Sequence, residues 1–132
     1  MSGRFWIFIA ALLGGVAVAA GAIGAHALGD AVDVKTKGIF STGQQYHTLH
    51  ASALLAVGIV LLQSEGHRAL YSTWSLQMAA LAFLIGILCF SGGIYVQVAE
   101  GFSSNAGIVP LGGFSFMIGW TAFAIGALGL RS

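Results

Sequence analysis

Residues 41–63, STGQQYHTLHASALLAVGIVLLQ, set Gln44, Gln45, Tyr46, His47 and His50 directly ahead of an apolar run. The uninterrupted apolar part, 51–62, is only twelve residues long. A membrane helix needs about 20 residues at 1.5 Å each to cross a hydrocarbon core about 30 Å thick. The segment is therefore either a short buried helix of a soluble protein or a span that carries five polar side chains into the bilayer.

Composition decides between them. The chain has 132 residues, 58% of them hydrophobic and 7% charged, against about 25% charged in an average soluble domain. A domain this small leaves too much of its area in contact with solvent to hide that much apolar surface. The solvent is lipid.

Charged residues punctuate four apolar stretches. Arg4 precedes the first; Asp30, Asp33, Lys35 and Lys37 follow it; Glu65 and Arg68, then Glu100, then Arg131 mark the later boundaries. The expected fold is all-α: one integral membrane domain over 1–132, a four-helix bundle with short loops and helices near 5–28, 42–62, 74–98 and 110–130. Three spans would leave 51–62 stranded, so helix 2 takes in Gln44 to His50. Counting back from the apolar run places that polar cluster in the outer third of the membrane, where it should face protein rather than lipid. A short surface helix over 30–37 is expected between helices 1 and 2, with Asp33 and Lys37 paired at i, i+4.

The N-terminal stretch imitates a secretory signal, with a basic start and Ala25-His26-Ala27 at its end. Its apolar core runs 21 residues, 5–25, beyond the 7–15 typical of a signal, so it reads as a retained span. Trp6, Tyr71 and Trp74 fall near helix ends, where amphipathic rings favour the headgroup region, and Trp120 is expected between helices. Arg4, Arg68, Arg131 and the N-terminal amine lie on one side, Lys35 and Lys37 on the other. That bias puts both termini in the cytoplasm of an inner-membrane protein. Small residues at four-residue spacing (Ala10/Gly14, Ala17/Gly21/Ala25, Ala122/Gly126) favour close helix packing.

Nucleic acid is excluded as a partner, because five scattered basic residues form no phosphate-binding patch. The single cysteine, Cys89, sits in an apolar segment and reads as a buried thiol. No nucleophile–base pair has recognisable spacing, and the glycine runs lack the strand and Lys-Ser/Thr of a phosphate loop. The chain is not expected to be an enzyme.

Chemistry concentrates in one cluster. His47 and His50 stand at i, i+3 on helix 2, with Gln44 a turn earlier and Tyr46 and His50 at i, i+4. An antiparallel hairpin is expected to bring His26 to the same level, and helix 3 ends there with Ser91, Tyr95, Gln97 and Glu100. Interhelical hydrogen bonding is the leading use of these groups. A quinone or lipid headgroup held by His26, Tyr46, His50 and Tyr95 comes second. A metal ion drawn from His26, His47, His50 and Glu100 comes third, and an axial haem pair of His26 and His50 last. The cofactor, if any, stays unidentified at this point. His67 reads as a solvated loop residue.

Four segments, in order, carry a resemblance: 21–28 (GAIGAHAL), 45–50 (QYHTLH), 90–95 (FSGGIY) and 109–114 (VPLGGF) followed by Gly119-Trp120. They resemble the YgdD/YwdK-like family of small inner-membrane proteins, over essentially the whole chain. The resemblance implies a four-helix membrane protein and no assigned activity. The matching residues are His26, Tyr46, His50, Ser91, Gly92, Tyr95, Pro110, Gly112, Gly113 and Trp120. The family order is tyrosine then glutamine before the helix 2 histidine; here Gln45 precedes Tyr46, and His47 is extra. His26 and His50 are then the histidine pair of interest.

The function expected is that of a small accessory or scaffold unit embedded in the lipid bilayer, associating with itself or with a larger membrane complex. A ligand-binding protein is the alternative. A channel is the least favoured, since no intramembrane charge marks an ion path.

Overall fold

The computed structural model describes residues 1–29, 31–64, 70–102 and 107–129. Asp30, residues 65–69 with His67, residues 103–106 and residues 130–132 with Arg131 lie outside the described residues, as does the side chain of Tyr71. Every regular element described is helical: α1 (Gly3–Ala22), α2 (Val34–Ser64), α3 (Leu70–Gly86), α4 (Gly92–Ala99) and α5 (Ile108–Leu128). A π turn, Ile23–Ala27, continues α1, and a second, Ile87–Ser91, joins α3 to α4. Four segments are long and apolar enough to cross a membrane: Gly3–Ala27, Val34–Ser64, Thr73–Ala99 and Ile108–Leu128.

Helix α2 begins eight residues before the expected Thr42. The segment expected as a separate surface helix is its first turn. Asp33 is the N-cap: its carboxylate accepts the Thr36 N–H at 2.6 Å, and its carbonyl accepts the Lys37 N–H at 3.0 Å. The apolar run marks only the lipid-immersed part of a helix, and threonine, lysine and glutamine extend it into the headgroups without a break. Ser2 caps α1 in the same way, accepting the Phe5 N–H at 3.3 Å.

Helix α1 packs on α2 and α5 on α3, and the two pairs meet through α2 and α3. The inner pair is 44% buried over its apolar windows, against 17% for the first span and 22% for the last. The outer helices therefore give most of their surface to lipid. Trp6, Leu54, Val57, Leu76 and Phe83 are fully buried at the centre. Trp6 is thus a core residue rather than a headgroup anchor: its indole N–H donates to Gln77 Oε1 at 2.8 Å, which satisfies the one polar atom that would keep it at the interface. Trp74, 69% exposed, keeps the boundary position expected of it.

Helices α3 and α5 close through one antiparallel register in which four large residues sit over glycines. Leu76 faces Gly126, Phe83 faces Gly119 and Phe90 faces Gly112, while Phe116 of α5 returns the contact onto Gly86 of α3. A Cβ at Gly119 would lie 2.6 Å from the Phe83 ring, and one at Gly112 2.7 Å from Phe90 Cβ. The three α5 glycines recur every seven residues, so they line one stripe. Ser115 adds a polar tie, its hydroxyl donating to the Ala82 carbonyl at 2.7 Å. On the other side Gly3 lies on the backbone of Gly58 and Leu62, and Ala10 and Ala17 are buried, whereas Gly14 has nothing within 4 Å of a would-be Cβ.

Candidate functional site

His50 lies near mid-height of the bundle rather than at its outer end, whereas Gln44 stands closer to that end. His50 is level with Phe83, Phe116 and Trp120, which stand near the middle of their helices. Reading depth from the start of the apolar run misplaces it, because the bundle flanks His47 and His50 with apolar neighbours from three other helices.

His50 is 2% exposed and both of its ring nitrogens are occupied. Nδ1 lies 2.7 Å from the Tyr46 carbonyl one turn back, which can only accept, so Nδ1 carries the proton. Nε2 then holds the lone pair, and the Trp120 indole N–H donates to it at 3.2 Å. The imidazole stacks on Phe116, centroids 3.5 Å apart and planes 10° from parallel. This ties α2 to α5, two helices that otherwise share little contact. A metal or haem iron would need the lone pair that Trp120 already holds.

His47, also 2% exposed, faces α4 instead, its Nδ1 3.2 Å from the Tyr95 hydroxyl. Tyr95 packs on Phe40, ring centroids 5.1 Å apart. His47 Nε2 and Ser91 Oγ are buried without a hydrogen-bond partner among the described residues. Gln44 reaches α1, its amide N–H groups going to the Ala17 carbonyl (3.4 Å) and Thr48 Oγ1 (3.2 Å).

His26 does not join them. It is exposed on the first π turn. The α1–α2 register, with Gly21 at Gln44 and Ile7 at Gly58, sets His50 opposite the middle of α1. That separates His26 from His50 by roughly 15 Å along the bundle. Glu100 is exposed at the C-cap of α4. Among the described residues no three His, Cys, Asp or Glu side chains gather where they could hold a metal ion.

What the structure does assemble is a groove of about 600 Å³ between α2 and α5. Tyr46, Leu49 and His50 form one wall, Phe90 the end, and Pro110, Gly113, Phe114, Phe116, Met117 and Trp120 the other. The Tyr46 ring lies 4.8 Å from Phe90 and 6.1 Å from Phe116. Tyr46 is 42% exposed and Trp120 44%, so the groove opens sideways to lipid. Three of the four segments that carry the family resemblance meet on it. Phe90, Phe116 and Trp120 as partners of Tyr46 and His50 are not legible from spacing within one helix.

The family model described as "Protein of unknown function (DUF423)" matches residues 20–113. The chain is similar to the UPF0382 inner membrane protein YgdD of Escherichia coli, 31% identical over 99% of this chain and 95% of that one. It is similar to a UPF0382 membrane protein of Haemophilus influenzae, 34% identical over 96% of each. A third relative is the UPF0382 membrane protein YwdK of Bacillus subtilis, 31% identical over 95% of this chain and 97% of that one. No solved structure matches. With four candidate spans and these full-length relatives, the chain is an integral membrane protein that belongs to the DUF423 family.

Proposed function

We propose that the protein is a non-enzymatic membrane binding protein that holds an apolar, chain-bearing lipid of the isoprenoid quinone type in the groove between α2 and α5. The observation that carries this reading is the groove itself: about 600 Å³, walled by aromatic rings and open toward lipid. Small-ligand sites span about 300–1,000 Å³ and are mostly apolar with few polar groups. The Tyr46 hydroxyl is the polar handle, a donor for a ring carbonyl, and the neighbouring rings offer a flat ring faces to stack on. His50 shapes the wall and keeps its hydrogen bonds.

The test is quenching of tryptophan fluorescence by a short-chain benzoquinone added to the protein in mild detergent, with Trp120→Phe identifying the reporter. Gly113→Leu fills the groove without disturbing the core, since a Cβ there meets only Phe90, at 3.9 Å. Its binding should fall about tenfold or more while its melting temperature holds. Equal binding by Gly113→Leu would remove the groove as the site.

One observation favours the accessory-unit reading as a second role. Ser41, Gln45, Thr48 and Ser52, spaced four, three and four apart, form an exposed polar stripe on α2. Their bonds stay within the helix, as in Thr48 to the Gln44 carbonyl (3.0 Å) and Ser52 to the Thr48 carbonyl (2.9 Å). Polar stripes of this kind serve helix association in lipid, with a second copy or a larger complex. Disulfide trapping of Ser52→Cys in a Cys89→Ala background tests self-association. The same proposal keeps both termini in the cytoplasm, which reporter fusions at each end would check.

A further inference from the structure

A second cavity, about 270 Å³, lies at the end of the α1–α2 hairpin and shares no residue with the groove. Its floor is Gly21 and Gly24, its near wall Ala25 of the first π turn, and its rim Lys37, Ser41 and Gln44. We propose that this cavity binds the phosphate diester of an anionic membrane lipid.

Depth is the first support. The first span ends at Ala27 on this level, while α2, 31 residues long, runs well beyond the roughly 20 needed to cross the hydrocarbon. Lys37 therefore stands among the headgroups, its stem along the helix and its ammonium at the rim.

The hydrogen-bonding inventory is the second. Gln45 Nε2 donates to Ser41 Oγ at 3.2 Å, which leaves the Ser41 proton to give to an anion. Lys37 supplies the charge. Gln44 spends its amide N–H groups on Ala17 and Thr48, so it presents only its carbonyl oxygen. That oxygen suits a hydroxyl on the headgroup, as in a glycerol. Among the described residues no carboxylate lines the cavity.

The backbone is the third. The π turn interrupts α1 on the cavity wall, and such turns recur where a helix is shaped around a site. Gly24 makes room for the Phe40 ring, which a Cβ there would approach to 2.8 Å, and Gly21 does the same for the Gln44 amide, at 3.3 Å. The two glycines thus let the cavity-lining side chains of α2 seat closely on α1.

The experiment is a titration of the detergent-solubilised full chain with dioctanoyl phosphatidylglycerol, dioctanoyl phosphatidylcholine or inorganic phosphate, read by native mass spectrometry and melting temperature. Phosphatidylglycerol should bind and the zwitterionic lipid should bind at least fivefold more weakly. Lys37→Gln should weaken phosphatidylglycerol about fivefold, the effect of one well-placed lysine, and Lys35→Gln, the same charge change off the rim, should not. Ala25→Leu fills the cavity with every charge kept, and its exposed position leaves the fold intact; it should lose the lipid too. Equal loss in Lys37→Gln and Lys35→Gln, or full binding by Ala25→Leu, would overturn the site. Equal protection by inorganic phosphate would overturn the lipid in favour of a soluble anion.

Discussion

Trp120→Phe isolates one hydrogen bond at the centre of the bundle. The ring keeps its contacts with Phe83 and Phe123, whose centroids lie 5.2 and 6.4 Å away. The indole N–H is lost together with part of the ring's packing area, a loss that the cycle below subtracts, and His50 Nε2 is left at 2% residue exposure without the donor it has in the wild type. Stranding a buried polar atom costs about 1–3 kcal/mol in water-soluble proteins. Between membrane helices the measured couplings average about 0.6 and reach about 1.7 kcal/mol, because the unfolded helices also find partners in lipid. Trp120 is nearly half exposed to the lipid side and the bond is 3.2 Å, which argues for the middle of that range. The expected loss is about 1 kcal/mol. The assay is reversible unfolding in mixed micelles with added dodecyl sulfate, run as a cycle with His50→Leu. Imidazole 15N shifts on the wild type should show Nδ1 protonated and Nε2 bare. A coupling below about 0.3 kcal/mol, or the opposite tautomer, would refute the assignment of His50 as a latch.

The glycine contacts and the Asp33 cap carry further outcomes. Gly112→Ala or Gly119→Ala, which force a methyl onto Phe90 or Phe83, should each cost about 1–3 kcal/mol in that unfolding assay. Gly14→Ala, facing open space, should be neutral or stabilise by up to about 1 kcal/mol. Asp33 lies outside the membrane, and its carboxyl is held below the usual range chiefly by the Thr36 N–H. A depressed folded pKa means the cap is intact above the ordinary aspartate value of about 3.9 and is lost as pH falls through the lower folded value. Protection of the Thr36 amide against hydrogen exchange should therefore persist through the ordinary aspartate range and be lost only at more acid pH, and Asp33→Asn should abolish that acid step while keeping the cap.

The four spans were legible because each apolar stretch is bounded by charge, and lipid leaves a chain few other solutions. Depth was not. Counting back from the run 51–62 puts Gln44 to His50 in the outer third of the span, but polarity along one helix cannot report what three others pack around it. Asp33 shows the same limit at the helix start: its i, i+4 spacing to Lys37 points to an ion pair, while its capping of the Thr36 N–H shows only once the helix start is placed. The four-residue spacing of Ala122 and Gly126 picks out only one of the three glycines that pack on α3; the seven-residue repeat of Gly112, Gly119 and Gly126 is hidden among twenty glycines. Their meaning needed the phenylalanines of the facing helix. His26 was drawn toward His50 by hairpin topology alone, and the observed register leaves it exposed on the π turn.

That register also explains why a groove exists beside a satisfied histidine. The glycine stripe pulls α5 tightly onto α3, so α5 cannot also close on α2 along its length. The contact that remains between α2 and α5 is made by long aromatic side chains, Tyr46 and His50 reaching Phe116 and Trp120 across the gap. Ring-to-ring contacts bridge two helices while leaving space between their backbones, and the groove is that space. The latch and the groove are therefore one construction. Replacing the bridge by small side chains, as in a His50→Ala, Trp120→Ala pair, removes the groove's walls and should abolish ligand binding together with part of the stability, whereas Gly113→Leu should abolish binding alone. If the two variants instead lose binding and stability in the same proportion, the groove has no role separate from packing.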